Sequence, residues 1–146
     1  MKSMNVVDSS AWVEYFVDGP NAGYFAPAIE DRSTLIVPAI ALYEVFKWGL
    51  RERGEQAALR LTGVMHQGWI VDLGPDLALS AARIAIEFNL AMADSMILAT
   101  ARAHTATLWT QDADFATVPG VRYMAKGSRV KASSAPSTKR AKEIKS

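Results

Sequence analysis

Five short runs rich in β-branched or aromatic residues recur along the sequence: Val6-Val7, Leu35-Ile36-Val37, Trp69-Ile70-Val71-Asp72, Thr107-Leu108-Trp109-Thr110 and Val121-Arg122-Tyr123. Each is short enough for a buried strand and too short for a helix. Between them lie segments with apolar residues at helical spacing: Ala11 to Val17, Gly23 to Glu30, Ala39 to Arg53, Glu55 to Gln67, Leu77 to Phe88 and Ala93 to His104. Asp18-Gly19-Pro20, Gly54 and the Asn89 to Met92 break supply the stop signals. Strands separated by helices are not joined as hairpins. The expected class is therefore α/β, a mainly parallel sheet of about five strands with helices on both faces.

A chain of 146 residues fits one domain, which at that size buries roughly 70% of its unfolded surface. Half of the residues are apolar, enough for a substantial core. The absence of cysteine removes disulfides, thiolate metal sites and a cysteine nucleophile. Only His66 and His104 carry imidazole, so a metal site would be built mainly from oxygen, the preference of Mg²⁺ or Mn²⁺. No apolar run approaches the roughly 20 residues of a membrane span, and no secretory leader pattern opens the chain. A soluble, cytoplasmic protein with no membrane association is expected. The net charge of +1 conceals an asymmetry: residues 126–146 carry seven Lys or Arg against one Glu, +6, leaving −5 for the rest. Residues 1–125 are expected to form the domain, and 126–146 a basic, disordered tail suited to contacting phosphates.

Four acidic residues stand at boundaries of the alternation. Asp8 ends the first strand, and Ser9 or Ser10 is placed to cap a helix beginning near Ala11. Glu44 lies in the helix after the second strand, Asp94 opens the helix before the fourth, and Asp112 follows the fourth. Each has an ordinary explanation: Asp94 as a helix-start charge, Glu44 as a partner for Lys47, Asp112 and Asp114 as turn formers, Asp8 as a cap. Together they say more. Strand ends of a parallel sheet share one edge, so Asp8 and Asp112 should meet in one crevice. Four carboxylates there cannot all remain ionised unless cations offset their repulsion. Mg²⁺ accepts carboxylate oxygens and keeps waters, and a water it acidifies can attack a phosphodiester. No Ser-His-Asp set, glycine-rich phosphate loop or metal-spaced His pair competes.

The segments NVVDSS, ALYEV, MADSMILATA and TLWTQDADF, in this order, resemble the PIN domain, in particular the VapC-type toxins of bacterial toxin–antitoxin pairs. The resemblance runs from about Met4 to Met124; the basic tail lies outside it. It implies a three-layer α/β/α fold and an Mg²⁺- or Mn²⁺-dependent endoribonuclease. The family's acidic site maps onto Asp8, Glu44, Asp94 and Asp112. Asp8, Asp94 and Asp112 would hold the metal, and Glu44 would position water or a second ion. Ser9, Thr110 and Asp114 stand where supporting hydrogen bonds are expected. The implied partners are an RNA substrate and an antitoxin lying across a helical groove.

Two other nuclease-fold readings stay open at this stage: an RNA-processing enzyme without an antitoxin, and a non-catalytic RNA-binding or assembly module. An aspartyl-phosphate enzyme is disfavoured, because the second Asp it needs two positions after Asp8 is Ser10. Trp12, Tyr15, Phe16, Tyr43, Phe46 and Trp48 exceed what one face of each helix readily hides. Some are expected to line the antitoxin groove or a homodimer contact.

Overall fold

The computed structural model describes residues 2–127. The elements run β1 (Asn5–Val7), α1 (Ser9–Phe16), α2 (Ala22–Glu30), β2 (Leu35–Pro38), α3 (Ala39–Glu52), α4 (Glu55–Met65), β3 (Trp69–Val71), α5 (Pro75–Phe88), α6 (Met92–Ala103), β4 (Thr107–Thr110) and β5 (Val121–Tyr123). Single 3-10 turns cover Arg32–Thr34 and Ala113–Phe115. The expected tail begins at the turn of Lys126 and Gly127; residues 128–146 lie outside the described residues.

The sheet order is β3-β2-β1-β4-β5, every neighbouring pair parallel. Parallel pairing forces each connection to cross over, and right-handed crossovers fix where the helices go. Stepping outward from β1 to β2 to β3 leaves α1 to α4 on one face; returning from β3 to β4 leaves α5 and α6 on the other. The result is the three-layer α/β/α arrangement. Progression along the sheet reverses between β1 and β4, and the carboxyl ends of those two strands flank a crevice.

The core follows the strand pattern. Val6, Val7, Ile36, Val37 and Leu108 are buried in the sheet, as residues covered on both faces must be. From α1, Trp12, Tyr15 and Phe16 are fully buried, with Trp12 and Phe16 stacked at 5.6 Å. Fully burying each such ring stabilises the fold by about 2–3 kcal/mol. The aromatic surplus of α1 is therefore core, not groove. On α3 the outcome differs: Tyr43 is 57% exposed, and Phe46 and Trp48 are half-buried.

Local signals end the helices where the sequence placed them. Gly54 takes φ +93° between α3 and α4, and Asn89 takes the left-handed conformation after α5. Helix α1 starts two residues earlier than expected. Asp8, not a serine, occupies its N-cap position, its backbone carbonyl accepting from the amides of Ala11 (2.9 Å) and Trp12 (3.0 Å). That shift puts Ser9 and Ser10 inside the first turn and frees their hydroxyls for other partners.

Helices α3 and α4 pack at Gly49 and Ala58. A Cβ at Gly49 would stand 2.9 Å from Ala58 Cβ and 3.0 Å from its Cα. A Gly49→Val substitution is expected to destabilise the protein by about 1–3 kcal/mol, since the obstacle is backbone as well as side chain. Gly63, on the open face of α4, would meet nothing within 4 Å. Gly63→Ala should stabilise by about 0.5–1 kcal/mol through helix propensity alone. Denaturant unfolding of the two variants checks both signs; equal midpoints would mean the α3–α4 contact is not tight.

Candidate active site

The crevice at the switch point has a volume of about 310 Å³ and is lined by Asp8, Ser9, Ser10, Val13, Glu44, Lys47, Arg51, Asp94 and Asp112. Asp8 arrives there because β1 pairs with β4: its amide donates to the Trp109 carbonyl at 2.9 Å. The side chain is 2% exposed. Its Oδ2 accepts from Ser10 Oγ at 2.6 Å and from Thr110 Oγ1 at 2.8 Å. Thr110 closes a bridge between the two strands, because the same Oγ1 accepts the amide of Asp112 at 2.9 Å. Asp112 Oδ1 in turn accepts the amide of Asp114 at 2.9 Å, capping the 3-10 turn.

Glu44 enters from α3, six residues beyond the end of β2. Its Oε1 accepts from Ser9 Oγ at 2.6 Å. The alternative partner, Lys47, makes no ion pair with it: among the described residues the one ion pair is Lys2 with Asp31, 3.6 Å apart on the surface. Asp94 stands in the first turn of α6. Among the described residues the carboxylates are thus gathered without a paired cation, and the ionisation of two of them is shifted. Burial pushes the Asp8 carboxyl above its ordinary range; the hydroxyls of Ser10 and Thr110 pull it back in part, and the charges of Asp112 and Glu44 raise it further. Asp94 is pushed up to about 7, first by burial and then by the charges of Asp8, Asp112, Glu44 and Asp114.

All four acidic residues singled out in the sequence line or reach this one crevice, but they do not form one tight cluster. Among the described residues, the carboxylates with ligand atoms all within 4.8 Å of one another are Asp94, Asp112 and Asp114. Asp8 also lines the crevice but is more deeply buried. An all-oxygen set with mutual spacing below 4.8 Å fits a hard divalent cation, whose ligands stand about 2.0–2.6 Å from it. Of the supporting residues, Ser9 and Thr110 make the expected kind of contact, and Asp114 joins the cluster itself. Ser10, Lys47 and Arg51 were missed. Ser10 required the true start of α1. The two cations were legible in principle, since positions 44, 47 and 51 share one helix face.

A second network holds the Asp112 loop in place. Asn21 Nδ2 donates to Gln111 Oε1 at 3.1 Å and to the Ala125 carbonyl at 2.9 Å, and its amide donates to Glu14 Oε2 at 2.7 Å. Asn21 and Gln111 are buried, so the residue before Asp112 is anchored to α1, to the start of α2 and to the end of the described chain.

Residues 6–121 match the PIN domain family. No curated protein matches the chain in sequence. Solved structures resemble it over most of its length. A toxin–antitoxin complex from Klebsiella pneumoniae has a component 25% identical, with a TM-score of 0.69 over 80% of this chain and 94% of that one. DNA-bound VapBC from Salmonella typhimurium is 16% identical, with a TM-score of 0.67 over 85% and 98%. A sarcin–ricin loop cleaving VapC toxin from Mycobacterium tuberculosis is 16% identical, with a TM-score of 0.66 over 81% and 97%. The latter two share the fold.

The raised pKa of Asp94 has a definite sign in stability. The folded protein keeps a proton on Asp94 that the unfolded chain releases from about pH 4 upward, so metal-free stability should fall as pH rises from about 4 to about 7. Asp94→Asn should melt above the parent by roughly 2–5 °C at about pH 8, an effect moderated by partial solvent exposure, and near it at about pH 4. Thermal melts in EDTA across that range test this; a parent whose melting temperature does not change with pH or with the substitution would refute the crowded acidic site.

Proposed function

The chain belongs to the PIN domain family, and from that membership we propose that it is a divalent-metal-dependent endoribonuclease serving as the VapC-type toxin of a toxin–antitoxin pair. The observation that carries the reading is the convergence of Asp8, Glu44, Asp94 and Asp112 on one crevice with no cation among the described residues paired to them. A protein that needed these charges only for folding would have neutralised them. The structural relatives that are toxins or toxin–antitoxin complexes support the same reading.

In this proposal Asp94 and Asp112 hold the ion, with Asp114 completing the cluster on its solvent side. Asp8 contributes from a buried position; with Oδ2 held by Ser10 and Thr110, Oδ1 is the atom left for a cation, directly or through water. Bound Mg²⁺ or Mn²⁺ would supply Lewis acidity toward the scissile phosphate and an acidified water as nucleophile. Glu44, oriented by Ser9, is set across the crevice to accept a proton from the attacking water. Thr110 couples the two strand ends, so the spacing of Asp8 and Asp112 is built into the sheet.

The proposed nuclease domain is residues 1–125, with 126–146 as a basic appendage. No single helix among the described residues is long and apolar enough to cross a membrane, and we assign the protein to the cytoplasm with its RNA substrate. The antitoxin would use the apolar hollow of about 260 Å³ lined by Leu42, Tyr43, Phe46, Thr62 and His66, beside the acidic crevice on α3. Leu79 and Ile86, exposed seven residues apart on α5, offer a face for a homodimer.

Purified protein is expected to cut single-stranded RNA with Mg²⁺ or Mn²⁺ and to lose activity in excess EDTA. Asp94→Asn and Asp112→Asn should each lower kcat by on the order of 10²–10³. Undiminished cleavage in EDTA would disprove the metal-dependent mechanism. Expression alone should arrest growth, and co-expression of an adjacent small gene should restore it. Harmless expression of folded, RNA-cutting protein would favour a processing enzyme instead.

A further inference from the structure

We propose that Lys47 and Arg51 form a phosphate-binding rim that positions the RNA strand over the acidic crevice; this rests on the ribonuclease reading above. Glu44, Lys47 and Arg51 recur at i, i+3 and i+7 on α3, and all three line the crevice. The face that begins with a half-buried carboxylate continues as two exposed cations. At 1.5 Å per residue, Arg51 stands about 10 Å along the helix from Glu44, so the rim meets phosphates flanking the one above the carboxylates.

Both cations are exposed, and among the described residues neither forms an ion pair. Glu44, one turn from Lys47, takes its hydrogen bond from Ser9 instead. Lys47 Nζ stands 5.1 Å over the Tyr43 ring and 3.4 Å from its hydroxyl, contacts worth little at an exposed site. Cations kept to quench the acidic cluster would be paired with it. Cations kept free beside it suit a ligand that is itself anionic and extended. The body of the chain, at −5 without the basic tail, otherwise repels such a ligand. Arg51 offers a planar fork for two phosphate oxygens and Lys47 a point charge. Neither reads a base, so the contribution is to affinity and placement, independent of sequence.

The test uses the full chain and labelled single-stranded RNA oligonucleotides of several sequences, with binding followed by anisotropy over a salt series. Combined Lys47→Gln and Arg51→Gln should weaken binding on the order of tenfold, equally for every sequence, and flatten the salt slope by roughly 1.4. In cleavage assays the loss should fall mainly on KM, with kcat changed much less. The melting temperature should stay within about 1 °C of the parent, because exposed unpaired charges contribute little stability. Lys47→Arg and Arg51→Lys, which keep the charge, should retain the parent's salt slope. Should the double variant fold poorly, Lys47→Glu alone still reports through its slope. A parent that binds RNA with the same affinity and slope as the double variant overturns the rim and leaves the ribonuclease reading standing. Loss of antitoxin binding with unchanged RNA affinity overturns it in favour of a protein partner. A parent that neither binds nor cuts RNA overturns both.

Discussion

Mutual repulsion among carboxylates at the switch point is the constraint on which the rest of the structure depends. Asp8, Glu44, Asp94 and Asp112 reach one crevice from β1, α3, α6 and the end of β4, and no protein cation pairs with them among the described residues. Left alone, such a group would splay apart. It is held by hydrogen bonds whose donors are themselves fixed by the fold: Ser10 and Thr110 on Asp8, Ser9 on Glu44, the Asp114 amide on Asp112. The hydrogen bonds lower the cost of the charges without removing it, and the raised pKa of Asp8 and of Asp94, set first by burial and then by neighbouring charge, is the remainder. The divalent cation proposed above would offset that remainder.

How much of this was legible in the sequence follows from which signals are local. Strands β4 and β5 fall where the apolar runs placed them, and β2 adds only Pro38, because a short β-branched run between helices has few alternatives. The positions of Asp8 and Asp112 were legible for the same reason: a residue following a parallel strand goes to the ligand-binding edge. The start of α1 was not. Serine is a strong N-cap, yet here the backbone of Asp8 takes the cap position, because pairing of β1 with β4 carries the strand conformation through Asp8 and no further. That tertiary restraint outweighed local preference. It decides the site's chemistry, since it turns Ser10 from a helix cap into a donor for Asp8.

The depth of Asp8 was equally out of reach. Sequence order places it at the edge, but its burial to 2% exposure goes with tertiary hydrogen bonding, from Thr110 on the neighbouring strand and from Ser10 in the relocated first turn of α1. Asp114 moved the other way, from a supporting position into the tight group with Asp94 and Asp112, because the 3-10 turn that Asp112 caps brings it round. The aromatics separate similarly. Their spacing on α1 and α3 looks alike in sequence, but α1 lies against the sheet while α3 shares its apolar face with α4. Tyr43 is left in solvent, and the hollow beside it is available to another chain.

The site is thereby graded by depth, and the grading has a chemical consequence. Asp8 is buried and hydrogen-bonded twice, so it can move little; Asp94 and Asp112 are half-buried, and Asp114 is exposed. In the proposed metal-dependent mechanism, a cation arriving from solvent would meet the more exposed carboxylates first, where displacing water costs least, and the desolvated one last. Electrostatic attraction grows along the same path, because the local dielectric falls with depth. The deepest carboxylate therefore contributes field more than flexibility, and the outer ones contribute geometry. Thr110 links the two levels through a single hydroxyl, donating inward to Asp8 and accepting outward from the Asp112 amide. That one side chain makes the position of the outer group a function of the inner one, which is how the sheet preorganises the site.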